Sequence, residues 1–216
     1  MIQHDVTHVG LGGIGSWVPP YIAAYGCNTL YLFDEDIVKI HNFSNQNYSY
    51  PEHLGVPKVK AMEMKLDGMA QWHKSFNRDM QIIATQKKVD EHDTFSGIVI
   101  VAVDSGEARK KIFKACKFNP AVHLYIEAGA AEHIGRVSCL IPHDKDQVAL
   151  YEKFLRAMKD ASGPPPCVSR YMGGQFASVI AYFIYRCAEE EWRPDTLYRS
   201  EINYTEMPTL ETGPLY

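Results

Sequence analysis

The chain has 216 residues, of which 46% are hydrophobic, so it is long enough and apolar enough to bury the core of one α/β domain. We expect a single domain over residues 1–216. The formal net charge of -4 excludes the basic field that nucleic-acid-binding surfaces carry. No apolar segment approaches about eighteen residues and no signal-peptide pattern is present, so we expect a soluble cytoplasmic protein without a membrane or nucleic-acid partner.

The cysteines are odd in number and scattered along the chain. They are Cys27, Cys116, Cys139, Cys167 and Cys187. Because no two of them form a CxxC pair, neither a disulfide framework nor a zinc site is indicated. We therefore expect reduced thiols and no structural zinc.

The first elements along the chain are a strand, a glycine-rich turn and a helix. A short apolar segment over residues 5–9 leads into GLGGIG at residues 10–15, and an apolar periodic segment follows. A GxGxxG pattern lets the backbone approach a pyrophosphate at a helix N-terminus. On its own the pattern favours a dinucleotide cofactor, and the alternative is a turn whose glycines serve only close packing.

Three acidic residues follow the second predicted strand. Residues 29–33 have an apolar strand pattern, and Asp34, Glu35 and Asp36 come directly after it. Ligands bind at the carboxyl ends of the strands in an open parallel sheet, and the spacing puts Asp34 in range of a ribose hydroxyl. Adjacent carboxylates repel one another, which indicates a ribose or a cation nearby.

The rest of the chain alternates strand and helix patterns. This predicts an α/β fold with a Rossmann-like, mostly parallel sheet flanked by helices. Residues 39–57 have little periodicity and are typical of a long functional loop. Further helices are expected over 58–72, 107–117, within 143–168 and over 173–186, and further strands over 80–89, 97–103, 124–126 and 135–142, with one candidate edge strand over 198–204.

Four segments carry a more specific signal than the glycine turn alone. They are VGLGGIGS at residues 9–16, LFDEDIVKIHNFSNQN at 32–47, GVPKVKAM at 55–62 and VAVDSGEARKKI at 101–112. In order and spacing they resemble the superfamily of ubiquitin-activating enzymes and ThiF/MoeB-like adenylyltransferases. The resemblance implies a ThiF-like nucleotide-binding domain that uses ATP and Mg²⁺. It also implies a homodimer or heterodimer whose partner is a small ubiquitin-like or sulfur-carrier protein, the C-terminal glycine of which is converted to an acyl-adenylate.

The resemblance assigns roles to residues of all four segments. The nucleotide-binding candidates are Gly10, Gly12, Gly13, Gly15, Asp34, Asp36, Asn42, Asn45, Gln46 and Lys58. Within this set the glycines would line the phosphate loop, Asp34 would bind the ribose, and Asn42 and Gln46 would lie near the phosphates. Lys58 would neutralise the triphosphate, and Asp104 would hold the metal ion.

The chemistry of the implied reaction supports these roles. A carboxylate that attacks a phosphate is opposed by like charge, so the site must supply positive charge where charge develops. Lys58 and a Mg²⁺ ion on Asp104 would supply it, and both are catalytic candidates together with Cys167. Each residue also has an ordinary alternative, since Asp104 could cap the following helix and Lys58 could be a solvated lysine at a helix start.

Two arginines that are customary in the family are missing. Asn45 stands where the family usually has an arginine before the glutamine, and the residues ahead of the first strand include no arginine. An arginine in phosphoryl chemistry can contribute about three to five orders of magnitude in rate. The candidates to replace it are Lys39, Lys60, Arg109 and Arg170, or a residue of a partner chain. The alternative function is a non-catalytic subunit that binds a carrier or completes another chain's site.

Cys167 follows three prolines ahead of the last apolar helix. Family members that form a thioester with their carrier often keep the nucleophilic cysteine in this region. A helix N-terminus, with Arg170 close by, would lower the pKa of the thiol. The ordinary alternative is an inert loop cysteine.

A third function, that of an NAD-linked oxidoreductase, rests on the glycine turn alone. No His, Tyr-Lys or Cys constellation for hydride transfer accompanies the turn, and the long loop has no role in such a reaction.

Overall fold

The computed structural model describes residues 2–76, 78–131, 134–157, 170–189, 194, 197–203 and 209–214. The strands are β1 (Val6–Val9), β2 (Thr29–Asp34), β3 (Gln81–Gln86), β4 (Gly97–Val101), β5 (Val122–Ala131), β6 (Ile134–Leu140), β7 (Tyr198–Asn203) and β8 (Thr209–Pro214). The helices are α1 (Val18–Tyr25), α2 (Lys58–Ser75), α3 (Gly106–Cys116), α4 (Lys145–Ala157) and α5 (Arg170–Glu189), with 3₁₀ turns at Gly15–Trp17 and Ile40–Ser44. Within the described ranges, no helix combines the length and the apolar character that crossing a membrane requires.

The eight strands within the described ranges belong to one sheet, in the order β3-β2-β1-β4-β5-β6-β7-β8. The strands from β3 to β5 are parallel to one another, and β6, β7 and β8 are added antiparallel beyond β5. The predicted Rossmann-like, mostly parallel sheet flanked by helices is thereby confirmed. The chain builds β2 and β3 on one side of β1 and then crosses to β4 on the other. In open α/β sheets such a reversal creates a crevice at the carboxyl ends of the two strands beside it, here β1 and β4, and ligands usually bind there.

Apolar layers cover both faces of the sheet. On one face α1, α2 and α5 bury side chains such as Ile22, Met62 and Phe183, and on the other face α3 and α4 bury Phe113 and Tyr151. Successive residues of a strand point to opposite faces, so a strand covered on both sides is apolar throughout. The segment Gly97–Val101 is buried along its whole length, as its continuous apolar pattern predicted.

The loop over residues 39–57 is closed at its base. Ile37 and Pro57 form an antiparallel bridge, and the Val38 amide donates to the Val56 carbonyl at 2.9 Å. This closure brings the start of α2 next to the end of β2, so the first residue of the helix lies beside the acidic residues that follow the strand.

The predicted edge strand over 198–204 is wrong in one respect. β7 runs over Tyr198–Asn203, as expected, but β8 pairs with it, with Tyr198 opposite Pro214 and Asn203 opposite Thr209. The edge of the sheet is therefore β8. The sequence of β8, TLETGP, has almost no apolar alternation, because backbone hydrogen bonds to one neighbour are enough to hold an edge strand.

Candidate functional site

The glycine turn after β1 is tightly packed, and two of its glycines have no room for a side chain. Gly10 has a φ of +92°, and a Cβ there would lie 2.7 Å from the Ala102 carbonyl oxygen. A Cβ on Gly15 would run into the Gly10 carbonyl oxygen. At Gly12, in contrast, a Cβ would meet nothing within 4 Å. Close packing thus explains Gly10 and Gly15, whereas Gly12 leaves open space in which a phosphate could approach the backbone.

A buried histidine in β1 forms a hydrogen bond to the glycine turn. His8 lies in β1 with no exposed surface, and its Nε2 is 2.9 Å from the Gly15 carbonyl oxygen, to which it donates. Burial lowers the pKa of His8 to about 4, so the ring is neutral near pH 7. His8 was not among the candidates predicted from the sequence. The only signal was an ionisable residue in a short strand, VTHV, that is buried along its whole length.

Asp34 connects the end of β2 to the glycine turn. Its Oδ2 accepts the Leu11 amide at 2.6 Å, and its Oδ1 accepts the Asp36 amide at 2.9 Å. The side chain is 10% exposed. Burial raises the pKa of Asp34 above its usual value, although the Lys58 ammonium and these two amides oppose the increase. One oxygen of the carboxylate is thus held against the glycine turn, at the carboxyl end of β2, where the sequence predicted that a ribose would bind.

Lys58 is the first residue of α2 and points at the acidic residues after β2. Its Nζ lies 2.8 Å from Asp36 Oδ2 and 3.8 Å from Asp34 Oδ1, and its side chain is 7% exposed. The alternative of a solvated lysine is therefore wrong. The position follows from the loop closure, because the Lys58 amide also donates to the Asp36 carbonyl at 2.9 Å.

The asparagine-rich loop is built around Asn42. The Asn42 side chain is buried, its Oδ1 accepts the Lys39 amide at 2.8 Å, and its carbonyl accepts the Gln46 amide at 2.8 Å. Gln46 is 8% exposed, and its Oε1 has no hydrogen-bond partner among the described residues. A buried amide oxygen left unpaired costs about 1–3 kcal/mol, so this position is one that a ligand could satisfy.

Three hydrogen bonds fasten the same loop onto the glycine turn. The Tyr48 hydroxyl donates to the Leu11 carbonyl at 2.9 Å, and the Asn47 amide donates to Ser16 Oγ at 2.9 Å. The Trp17 indole N–H donates to the Asn45 carbonyl at 3.2 Å. The turn and the loop therefore form one unit, and Asn45 contributes to it through its backbone.

Asp104 lies exposed just beyond β4, which pairs in parallel with β1 so that Val101 is opposite Val9. The alternative that Asp104 caps α3 is wrong, because the cap is Ser105, whose Oγ accepts the Ala108 amide at 3.3 Å. No group of three or more His, Cys, Asp or Glu side chains in the described ranges could hold a metal ion. Magnesium is usually bound by one or two carboxylates together with substrate phosphates, and a single exposed carboxylate fits that mode rather than an all-protein site.

The cations predicted to replace the missing arginines do not all face the crevice. Arg109 is 5% exposed and is ion-paired with Glu127, so the prediction that it could contact a nucleotide is contradicted. Lys60 is exposed on α2 and pairs with Glu63 at 2.7 Å, and Lys39 is exposed at the start of the loop. The side chain of Arg170 and the whole of Cys167 lie outside the described residues, so their predicted roles stay predictions.

Comparison with known proteins gives three findings on sequence. A model of the ThiF family matches residues 3–206. The chain is 27% identical over 130 residues to the SAMP-activating enzyme E1 of Haloferax volcanii, covering 57% of this chain and 46% of that protein. It is 31% identical over 147 residues to the ubiquitin-like modifier-activating enzyme 5 of Caenorhabditis elegans, covering 61% of this chain and 33% of that protein. The chain thus aligns with less than half the length of these relatives.

Solved structures have the same fold. Over 98% of this chain, E. coli MccB with AMPCPP and MccA superposes with a TM-score of 0.70 at 18% identity, covering 63% of that chain. E. coli MccB with ATP gives 0.66 at 18% identity over 98% of this chain and 63% of that chain. PaaA gives 0.69 at 17% identity over 98% of this chain and 64% of that chain. At these identities the likeness establishes the fold alone.

Proposed function

The chain belongs to the ThiF family, and on that premise we propose that it is an ATP-dependent adenylyltransferase that activates the C-terminal glycine of a small ubiquitin-like or sulfur-carrier protein. The observation that carries the proposal is the convergence of the four motif segments at one edge of the sheet. Gly12, Asp34 and Asp104 follow the adjacent strands β1, β2 and β4, and Lys58 reaches to 3.8 Å from Asp34.

The contacts of these residues indicate how ATP would lie. The open backbone at Gly12 would receive the phosphates, and Asp34, which the Leu11 amide holds at 2.6 Å, would accept hydrogen bonds from the ribose. The Gln46 side chain, whose oxygen has no partner among the described residues, would contribute a further contact. A ribose hydroxyl would satisfy its oxygen, and a half-turn of the amide would present N–H groups to a phosphate.

The proposed reaction joins a carrier carboxylate oxygen to the α-phosphorus of ATP and breaks the bond to the leaving pyrophosphate. No general base is needed, because a terminal carboxylate is already ionised near neutral pH. The residues must instead offset the repulsion between two anions. Lys58, buried beside Asp34 and Asp36, would supply one positive charge. Asp104 and the phosphates would hold Mg²⁺, which when bound would neutralise further negative charge.

The test is carrier-dependent exchange of labelled pyrophosphate into ATP by the full chain. The probe is a small β-grasp protein ending in Gly-Gly, compared with the same protein lacking its last glycine. Lys58→Met should lower the exchange rate by about 10- to 100-fold, since a charge-assisted contact contributes about 1.5–3 kcal/mol. Lys74→Met, at an exposed lysine in the last turn of the same helix, is the matched control. Equal rates with and without the terminal glycine would contradict the proposal.

The alternative function starts from Asn45, which stands where the family usually has an arginine. Arg109 is buried and ion-paired with Glu127, so it is poorly placed to substitute for that arginine. The chain would then be a non-catalytic subunit that binds a carrier or completes another chain's site. This version predicts no exchange by the isolated chain and exchange in a mixed assembly, and exchange by the chain alone would reject it.

Transfer of the activated carrier to Cys167 is a further step of the proposal. The thiol would attack the adenylated carbonyl and release AMP, which gives a thioester. Cys167→Ser should retain pyrophosphate exchange and lose the thiol-sensitive carrier adduct on a non-reducing gel. An adduct that persists in this variant would reject Cys167 as the nucleophile.

A further inference from the structure

Arg109 and Glu127 form a buried ion pair behind the loop that carries Asp104. Arg109 lies on α3 and Glu127 on β5, and their side chains are 6% and 0% exposed. Removing two charges from water costs several kcal/mol per ion, and an apolar pair of similar size is often at least as stable. The pair is therefore better explained by what it positions than by stability alone.

The guanidinium of Arg109 joins the ends of two strands. It donates to the Ala128 carbonyl on β5 at 2.9 Å and to the Val103 carbonyl beyond β4. Gly129 makes room for it, since a Cβ there would lie 2.9 Å from Nη2. Because β4 ends at Val101, the Val103 carbonyl has no place in the strand ladder, and the guanidinium satisfies it instead.

Val103 immediately precedes Asp104, so these bonds act on the backbone that carries the candidate metal ligand. Glu127 lies opposite Val101 on the neighbouring strand, and its carboxylate is ion-paired with Nη1 of Arg109, while Nη2 donates to the Val103 carbonyl. Burial lowers the pKa of Arg109 to about 10, and the charge of Asp104 is among the groups that oppose this change. The two side chains therefore interact electrostatically across the loop.

We propose that Arg109, oriented by Glu127, is a positioning residue that holds Asp104 at the crevice for the Mg²⁺-bound nucleotide. The inference rests on the proposed function, because it assigns Asp104 to the metal ion of ATP. A lysine would keep the positive charge of Arg109 but not its planar guanidinium, which contacts two carbonyls and a carboxylate at the same time. Arg109→Lys should therefore keep the pair's charge and lose the geometry.

The experiment measures ATP affinity of the full chain in EDTA and in excess Mg²⁺. The Kd in EDTA divided by the Kd in excess Mg²⁺ reports how much magnesium strengthens ATP binding. We expect Arg109→Lys and Asp104→Asn each to lower this ratio by about tenfold, with the Kd in EDTA unchanged. The double variant should lose no more than Asp104→Asn alone, since one residue acts through the other. Arg156→Lys, at an exposed Arg-Glu pair on α4, is the matched control.

Each other outcome has a distinct meaning. A loss in Arg109→Lys that is equal with and without Mg²⁺ would overturn the positioning role, as would losses that add in the double variant. If Arg109→Lys does not fold, Glu127→Gln, which keeps size and a hydrogen-bond acceptor, must show the same loss of ratio or the inference fails. Absence of ATP binding to the unaltered chain under both conditions would overturn the proposed function itself.

Discussion

At the scale of single residues, His8 makes the stability of the fold sensitive to acid. In the folded chain the ring is buried beneath Gly15, and its pKa is about 4 against 6.5 for an ordinary histidine. Because the pKa of His8 is lower in the folded chain, the unfolded chain takes up the proton at a higher pH than the folded chain does. Stability from this residue is therefore complete above pH 6.5 and is lost as the pH falls towards 4, by about 3 kcal/mol.

Urea unfolding at a series of pH values between 7 and 4 would measure this loss. His8→Gln is the matched variant, because a glutamine amide can still donate to the Gly15 carbonyl but does not titrate. We expect the variant to lose less stability across this range than the unaltered chain, by about the amount assigned to His8. The same acid dependence in both proteins would show that other groups cause it.

Gly12 and Gly15 lie three positions apart in one turn, yet replacing Gly15 should affect stability and replacing Gly12 should affect ATP binding. Gly15→Ala forces a methyl group into the Gly10 carbonyl and should destabilise the chain by about 1–3 kcal/mol or more. Gly12→Ala meets nothing within 4 Å, so it should leave stability unchanged and weaken ATP binding, because the methyl group occupies space proposed for phosphate. Chemical unfolding and ATP titration of both variants measure the two effects. Unchanged ATP affinity in Gly12→Ala would contradict the phosphate assignment.

At the scale of elements, α5 is coupled to the glycine turn through Gly173. A Cβ on Gly173 would collide with Cδ1 of Trp17 and would lie 2.7 Å from the Gly13 carbonyl oxygen. Trp17 in turn holds the Asn45 carbonyl, so the helix, the turn and the loop share one contact region. The sequence analysis placed an apolar helix here but had no basis for its contact with Trp17.

Gly173→Ala should therefore destabilise the chain by about 1–3 kcal/mol through overpacking and should change the tryptophan fluorescence. Gly174→Ala is the control on the next residue, where a Cβ meets nothing within 4 Å. Because alanine favours a helix over glycine by about 1 kcal/mol, Gly174→Ala should be neutral or stabilising. Equal effects at both positions would contradict close packing at Gly173.

The elements were more predictable than the contacts between them. Apolar patterns located β4 and the start of α2 to within a few residues, since burial dictates these patterns directly. The ion pair of Lys58 with Asp36 and the burial of Arg109 could not be predicted. They depend on the directions of side chains from elements that the crossovers bring together. β8 was missed for a related reason, because its hydrogen bonds come from the backbone.

At the scale of the whole molecule, the candidate site joins four elements of the fold. The strand order puts Gly10, Asp34 and Asp104 after the adjacent strands β1, β2 and β4, and Lys58 is the first residue of α2, which packs against β2 and β3. The motif order along the sequence predicted this convergence because carboxyl ends of parallel strands share one edge. A ligand there would contact all four elements, so its binding should oppose global unfolding and not only a local opening.

Nucleotide binding should consequently raise the melting temperature, and the choice of nucleotide separates two functions. A ligand at 100 times its Kd stabilises by about 3 kcal/mol, which corresponds to roughly 5–11 °C for a domain of this size. We expect this shift with ATP and Mg²⁺ and none with NAD at equal concentration, because Lys58 and Asp104 would serve a triphosphate and its metal ion, which NAD lacks. Lys58→Met should reduce the ATP shift, whereas Lys74→Met, at an exposed lysine in the last turn of the same helix, should not. A shift with NAD alone would instead favour the oxidoreductase, since the glycine turn and a ribose-binding Asp34 would serve either nucleotide.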